Sequence, residues 1–323
     1  MAPSIATNGS LATSKDVELI INGVSRPSST NTTFPVTNPL TGKVLYNAHS
    51  ASAEDCKAAV DAAATAFKEW KEWSPSRRRA LFFKAADLFE NPEWQEKIKA
   101  RMSSETGANS NWIHPANTVG AAANLREVGS SATHIKGEVI PSDFPGSNSL
   151  SARLRLGTTV MLIRDPVGVV FAIAPWNAPI TLSLRAIATP LICGNTVILK
   201  SSEYSPLTQR TVVEAFMEAG IPKGVLNFLM FSTQDAPART EEIIAMRPVR
   251  RINFTGSDRV GRKIAETCGR HLKQAIFELG GKAAAVVLDD ADLDSAADKI
   301  VFAGLMHAGQ ICMSTVFSPI CLG

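Results

Sequence analysis

Two residues in this chain carry the reagents for a covalent reaction. Cys312 follows Gly309, Gln310 and Ile311, and Glu278 lies in Phe277-Glu278-Leu279-Gly280-Gly281-Lys282. A soft thiol nucleophile and a carboxylate base, each in a glycine-containing turn, are what covalent oxidation of an aldehyde needs. Most isolated cysteines are buried and inert, so the sulfur alone decides nothing. His307 stands shortly before Cys312 and invites a cysteine-histidine hydrolase reading, but no matching Asn or Asp orienter accompanies it.

Three further motifs carry polar groups that a small ligand would use. Asn177 is held between Pro175 and Pro179, which restrict the backbone and fix where its amide points. A rigid amide donor aimed at developing charge contributes roughly 2.7–4 kcal/mol to a transition state; the alternative is a helix N-cap. Lys200-Ser201-Ser202-Glu203 places an ammonium and a carboxylate together after an apolar run. They would grip ribose hydroxyls, and the carboxylate would repel a 2′-phosphate and so favour NAD over NADP. The bland alternative is an exposed charged loop. Thr255-Gly256-Ser257-Asp258-Arg259-Val260-Gly261 opens a helix, whose N–H groups and dipole suit a pyrophosphate. It matches neither the G-x-G-x-x-G fingerprint nor a P-loop, and a purely structural strand-turn-helix has the same pattern.

The elements that must position these groups follow from periodicity. Short apolar runs at Val169–Ile173, Thr196–Leu199, Val225–Leu229, Arg251–Phe254, Ala275–Phe277 and Ala285–Leu288 alternate with helical patterns at Pro179–Cys193, Pro206–Ala219, Asp258–His271 and Leu293–His307. That alternation predicts an α/β fold with a parallel sheet covered on both faces, and ligands at the carboxyl ends of its strands. Upstream, Val17–Ile21 turns at Asn22-Gly23, Glu54–Trp70 and Ser76–Met102 show helical spacing, and a Pro/Ser/Gly-rich stretch leads into Thr158–Ile163, an extended arm.

Composition narrows the function classes. The 323 residues are 45% hydrophobic and 20% charged with a net charge of +3, ordinary globular values. The densest basic cluster, Arg77-Arg78-Arg79, opens an amphipathic helix and reads as a solvated face, with no aromatic or lysine run to make a nucleic-acid patch. Five cysteines without a C-x-x-C pair argue for reduced thiols, with neither a disulfide framework nor a metal site. The Ser/Thr/Ala-rich start lacks secretory character, and no uncharged apolar run reaches the length of about 18 residues that spans a membrane, so the expected compartment is the cytoplasm.

Taken in order, Pro175-Trp176-Asn177, Lys200-Ser201-Ser202-Glu203, Phe254-Thr255-Gly256-Ser257 with Val260-Gly261, Glu278-Leu279-Gly280-Gly281-Lys282 and Gly309-Gln310-Ile311-Cys312 resemble the aldehyde dehydrogenase superfamily. Gln234-Asp235-Ala236-Pro237 looks like its salicylaldehyde/vanillin branch. The resemblance implies a Rossmann-like parallel-sheet cofactor domain and the start of a second, incomplete α/β catalytic domain. It implies that Cys312 attacks the aldehyde, Asn177 and the Cys312 N–H hold the oxyanion, and Glu278 activates water. It assigns Lys200 and Glu203 to the adenosine ribose of NAD, Gly256, Ser257, Asp258, Arg259, Val260 and Gly261 to the pyrophosphate, and Ala174, Pro175, Trp176 and Leu279 to the cofactor wall. Asp258 replaces a threonine common in the family and brings an anion near the phosphates.

The domains expected on this basis are a flexible leader at 1–16, an NAD-binding domain at 17–280 with 137–166 as an oligomerisation-type arm, and a truncated catalytic domain at 281–323. Family members are homo-oligomers and continue well past the cysteine, whereas the tail Val316–Gly323 departs from their pattern. The expectation is therefore an aldehyde oxidoreductase by ancestry; the alternative is an inactive relative that at most binds nucleotide or a full-length partner.

Overall fold

The computed structural model describes residues 16–145 and 157–316. The leader before residue 16, the Ser/Gly-rich stretch 146–156 and the tail from 317 onward, with Cys321, lie outside the described residues.

The chain opens with the hairpin β1 (Leu19–Ile21) and β2 (Val24–Arg26). Its turn residues Asn22 and Gly23 have φ of 53° and 71°, the left-handed pair that a two-residue hairpin with right-handed strand twist requires. A second hairpin pairs β3 (Thr33–Thr37) with β4 (Val44–His49). Three helices follow, α1 (Ala53–Trp70), α2 (Pro75–Glu90) and α3 (Pro92–Thr106). The single helical pattern read over Ser76–Met102 is two helices. Asn91, with ψ of 128°, ends one, and its side chain accepts from the N–H groups of Glu93 and Trp94 to begin the other, with Pro92 at the first helical position.

The basic cluster is also corrected. Arg78 is buried, and its guanidinium donates to the carbonyls of Trp70 and Lys71, while Arg77 lies 3.4 Å above the Trp73 ring. Arg77 is exposed and Arg79 half-buried, so the solvated reading fails at Arg78, which clamps the end of α1.

A turn at Ser110–Trp112 and a π-helical segment Ile113–Val119 lead into α4 (Gly120–Ser130). The arm is an antiparallel pair, β5 (Glu138–Pro145) with β6 (Gly157–Leu162), which exposes Val139, Met161 and the adjoining Ile163.

From there strands and helices alternate. They are β7 (Val169–Ile173), α5 (Pro179–Ile192), β8 (Thr196–Lys200), α6 (Pro206–Glu218), β9 (Leu226–Leu229), α7 (Ala236–Ala245), β10 (Val249–Thr255), α8 (Asp258–Arg270) and β11 (Gln274–Glu278). The sheet order is β11-β10-β7-β8-β9-β1-β2, parallel from β11 to β9 and closed by the antiparallel first hairpin. β7 and β8 are buried along their whole length, as strands covered on both faces must be. Helices α1, α7 and α8 pack on one side, and α5 and α6 on the other, backed by α2, α3 and α4.

The last segment holds β12 (Ala283–Ala284), α9 (Leu293–Leu305) and β13 (Thr315–Val316), the two strands pairing, among the described residues, only with each other. The strand expected at Ala285–Leu288 is absent; with no sheet edge beside it among the described residues, this apolar run is coil, with Val286 and Leu288 exposed.

Two carboxylates, the buried Glu105 and the half-buried Glu214, fix α6 to α3. Glu105 accepts the N–H groups of Leu207 (2.9 Å) and Thr208 (2.8 Å) at the start of α6, together with the hydroxyls of Thr208 and Tyr46. Burial pushes the Glu105 carboxyl up, and these donors oppose it. Glu214, further along α6, meets Lys97 and Arg101 of α3, both at 2.9 Å. Burial pushes its pKa up, but the two cations more than offset this and hold it at about 2. A depressed carboxylate stabilises the fold above its unfolded value of 4.5, and that contribution is lost as pH falls toward 2. Glu214→Gln is expected to lower stability at pH 7 by about 2 kcal/mol and to flatten the acid limb between those two pH values. Denaturant unfolding measured from pH 7 to pH 2 checks it; an unchanged acid limb contradicts the account.

Candidate active site

The carboxyl ends of β7, β10 and β11 meet the loop after α9 in one cleft of about 740 Å³. Its walls include Pro175, Trp176 and Asn177 after β7, Gly256, Ser257 and Asp258 after β10, Glu278 and Leu279 after β11, and Cys312. The three residues expected to do chemistry are therefore neighbours, although they come from three separate stretches of chain.

Each is held by a different device. Asn177 is not a helix cap: Ala178 takes that position ahead of Pro179, with no side-chain cap bond. Its amide nitrogen donates to the Gln310 carbonyl (2.8 Å), while the Trp112 indole donates to its own carbonyl (3.0 Å). One amide proton is thereby used to hold the cysteine loop, and the other stays available. Glu278 forms an ion pair with Arg185 at 2.8 Å, both side chains being substantially exposed at 41% and 56%. Exposed pairs of this kind contribute about 0–1 kcal/mol, so Arg185 orients the carboxylate without locking it.

Cys312 is half-buried, whereas Cys56 and Cys268 are buried; burial pushes the Cys56 thiol up to about 12 and raises those of Cys193 and Cys268. The backbone before Cys312 is left-handed at His307, Ala308 and Gly309, with φ of 50°, 55° and 72°, which turns the chain sharply out of α9. His307 is turned away from the cleft. Its ring stacks on Trp112 at 5.8 Å and lies 6.1 Å from Trp176, and burial lowers its basicity. Among the described residues Cys312 has no imidazole partner, so the hydrolase dyad is not formed.

The residues expected to bind a cofactor divide into two groups. Ser257 caps α8, accepting the N–H of Val260 at 3.4 Å, and Arg262 pairs with Asp258 at 3.1 Å, which offsets the anion brought to this helix start. Gly256 and Gly261 answer to packing. A Cβ on Gly256 would stand 2.6 Å from the Phe254 ring, and one on Gly261 2.7 Å from Leu279, so the second glycine lets α8 approach the strand end. Arg259, Val260 and Gly261 do not wall the cleft. Neither do Ala174, at the end of β7, or Lys200 and Glu203, which emerge at the end of the neighbouring β8.

Lys200 is not on an exposed loop. It is buried, its ammonium is 3.6 Å from Glu203, and burial pushes its pKa down against that partner. The Ser201 hydroxyl beside it is buried and unpaired. A buried, incompletely paired ammonium with a carboxylate fits a ribose diol, and the capped start of α8 fits a phosphate, so the residues present suit a dinucleotide.

Sequence reasoning passed over Arg185, Trp112 and Gln310. Arg185 is the one charged residue of α5, and a lone charge on an apolar helix was a signal for it; Trp112 and Gln310 act through long-range bonds that no local pattern reveals.

Comparison with known proteins agrees with this geometry. Residues 26–317 match the model of the aldehyde dehydrogenase family. The chain is 49% identical over 299 residues to a vanillin dehydrogenase of Pseudomonas sp. (strain HR199 / DSM 7063), covering 93% of this chain and 59% of that protein. It is 42% identical to a salicylaldehyde dehydrogenase of Pseudomonas putida, covering 92% and 59%. The crystal structure of a salicylaldehyde dehydrogenase from Pseudomonas putida G7 complexed with salicylaldehyde superposes with a TM-score of 0.86 at 41% identity, covering 93% of this chain and 59% of that one. PnpE in complex with nicotinamide adenine dinucleotide gives 0.84 at 31% identity, covering 93% and 58%. The chain thus spans about three fifths of the length of these relatives. With the motifs, the fold and the cleft in agreement, the chain belongs to the aldehyde dehydrogenase family.

Proposed function

We propose that this chain carries the nucleotide-binding part and the nucleophile of an enzyme that oxidises an aromatic aldehyde to the carboxylic acid with NAD. The observation that carries the reading is the single cleft walled by Cys312, Glu278, Asn177 and the turn Gly256–Asp258. The aromatic substrate rests on relatives named for vanillin and salicylaldehyde. Relatives named for NAD and for NADP both occur, and the Glu203 carboxylate beside Lys200 favours NAD by repelling a 2′-phosphate.

In this reading the Cys312 sulfur adds to the aldehyde carbon. The Cys312 N–H and the free proton of the Asn177 amide hold the oxygen as it becomes an anion. The chemistry that bound NAD supplies is that of hydride acceptor. Lys200 and Glu203 would hold its ribose, the start of α8 its pyrophosphate, with Ala174, Pro175, Trp176 and Leu279 along its length. Glu278, released from Arg185, takes a proton from the water that attacks the acyl carbon; the C–S bond breaks, the Cys312 thiol is regenerated and the carboxylic acid leaves. The arm β5–β6, with its exposed apolar side chains, is the part suited to meet a second subunit.

A second reading has its own observation. Helix α9, which leads to the Cys312 loop, buries none of its residues, and Leu293, Val301, Phe302 and Leu305 are all exposed. A loop resting on so bare a helix favours a chain that binds NAD without turning over aldehyde.

One assay pair separates the two. Calorimetry with NAD is expected to show binding that Lys200→Ala weakens about tenfold, and aldehyde-dependent NADH formation is expected to fall at least about 10³-fold in Cys312→Ala. Binding without turnover selects the second reading, and no binding refutes both. Thiol chemistry gives a further check. With Cys321 replaced by serine, iodoacetamide is expected to label Cys312 at least about tenfold faster than Cys56, Cys193 or Cys268, read by peptide mass spectrometry; equal rates contradict an open Cys312.

A further inference from the structure

The loops after β7 and β8 part beyond one ladder bond, from the Ala174 N–H to the Lys200 carbonyl at 3.3 Å. Past that point one side chain touches both. Gln209, fully buried near the start of α6, accepts the Ser202 N–H at 2.6 Å and the Ser205 hydroxyl at 3.4 Å through Oε1. Through Nε2 it donates to the carbonyls of Ala174 (3.3 Å) and Pro175 (3.4 Å) and to the Ser183 hydroxyl (2.9 Å). The partners fix which end of the amide is which, because a backbone N–H only donates and a carbonyl only accepts. No other side chain of this length offers both: a carboxylate would face two carbonyls, and a thioether would leave buried partners unsatisfied.

We propose that Gln209 is a positioning residue that sets the separation between the Lys200–Glu203 loop and the Trp176–Asn177 loop. It thereby holds the two ends of a dinucleotide site at a fixed span, an inference that rests on the nucleotide reading above. The foundation is stiff, since α6 is itself held to α3 through Glu105 and Glu214. A site held this way does not have to be ordered by the ligand that enters it.

The test compares Gln209→Met, Gln209→Glu and Val212→Ala in the full chain, by NAD calorimetry and by amide hydrogen exchange. Val212 is a buried residue of the same helix that makes no bond to either loop, so it controls for simple loss of packing. In Gln209→Met, NAD affinity is expected to fall about tenfold, with faster exchange at Ala174, Trp176 and Asn177 and also at residues 201–205. Gln209→Glu keeps the acceptor and loses the donor, so exchange is expected to rise after β7 alone. Val212→Ala is expected to lower the melting temperature while leaving NAD affinity within about twofold. Matching effects in Val212→Ala, or exchange that rises evenly across the chain in the Gln209 variants, would overturn the proposal. If the unaltered chain binds no NAD, the nucleotide reading fails, and the exchange pattern still decides whether Gln209 joins the loops.

Discussion

The register of four parallel strands is the constraint on which the site depends. Thr255 lies opposite Glu278, Phe254 opposite Ile173, and Ile173 opposite Lys200, so β11, β10, β7 and β8 end at one level. A one-residue slip would turn each of these side chains to the other face of the sheet. The full burial of β7 and β8 opposes such a slip, because their apolar residues have no solvent face to tolerate it. Whatever chemistry the cleft performs begins with that alignment.

Beyond the strand ends, polar side chains carry the order outward. Glu105 and Glu214 tie α6 to α3, and α6 presents Gln209 to the loops after β7 and β8. The Asn177 amide then holds the Gln310 carbonyl, and the Trp112 indole holds Asn177 from behind. Hydrogen bonds of this kind contribute only about 0.5–1.5 kcal/mol each, but where a partner is buried, leaving it unsatisfied costs more than the bond provides. Their effect is to permit one arrangement of the loops. The Cys312 loop is held by the Asn177 contact and by His307, which is buried against Trp112 and Trp176, since α9 behind it buries none of its residues.

How much of this the sequence disclosed depended on range. The apolar runs of β7, β8 and β9 and the glycine-containing turns after β10 and β11 were legible because each is a local pattern, and so was the Asn22-Gly23 hairpin. The Asn91-Pro92 break was passed over because helical spacing continues across it, and only the capping geometry separates the two helices. Val286 and Leu288 look like strand residues, yet a strand exists only where a partner lies beside it, and among the described residues none does. Arg185 with Glu278, Trp112 with Asn177 and Gln209 with Ala174 are pairs distant in sequence, beyond the reach of any spacing argument. Gly261 was read for its place in a motif, while the structure gives it a packing reason in its contact with Leu279.

The central claim is that a dinucleotide enters the cleft that Cys312, Glu278 and Asn177 share. A crystal structure of the chain with NAD tests it most directly. The account predicts the nucleotide lying between the loop after β7 and the start of α8, its ribose near Lys200 and Glu203, with the Cys312 sulfur facing its nicotinamide end. A nucleotide bound elsewhere, or a Cys312 sulfur remote from Glu278 and Asn177, would contradict it.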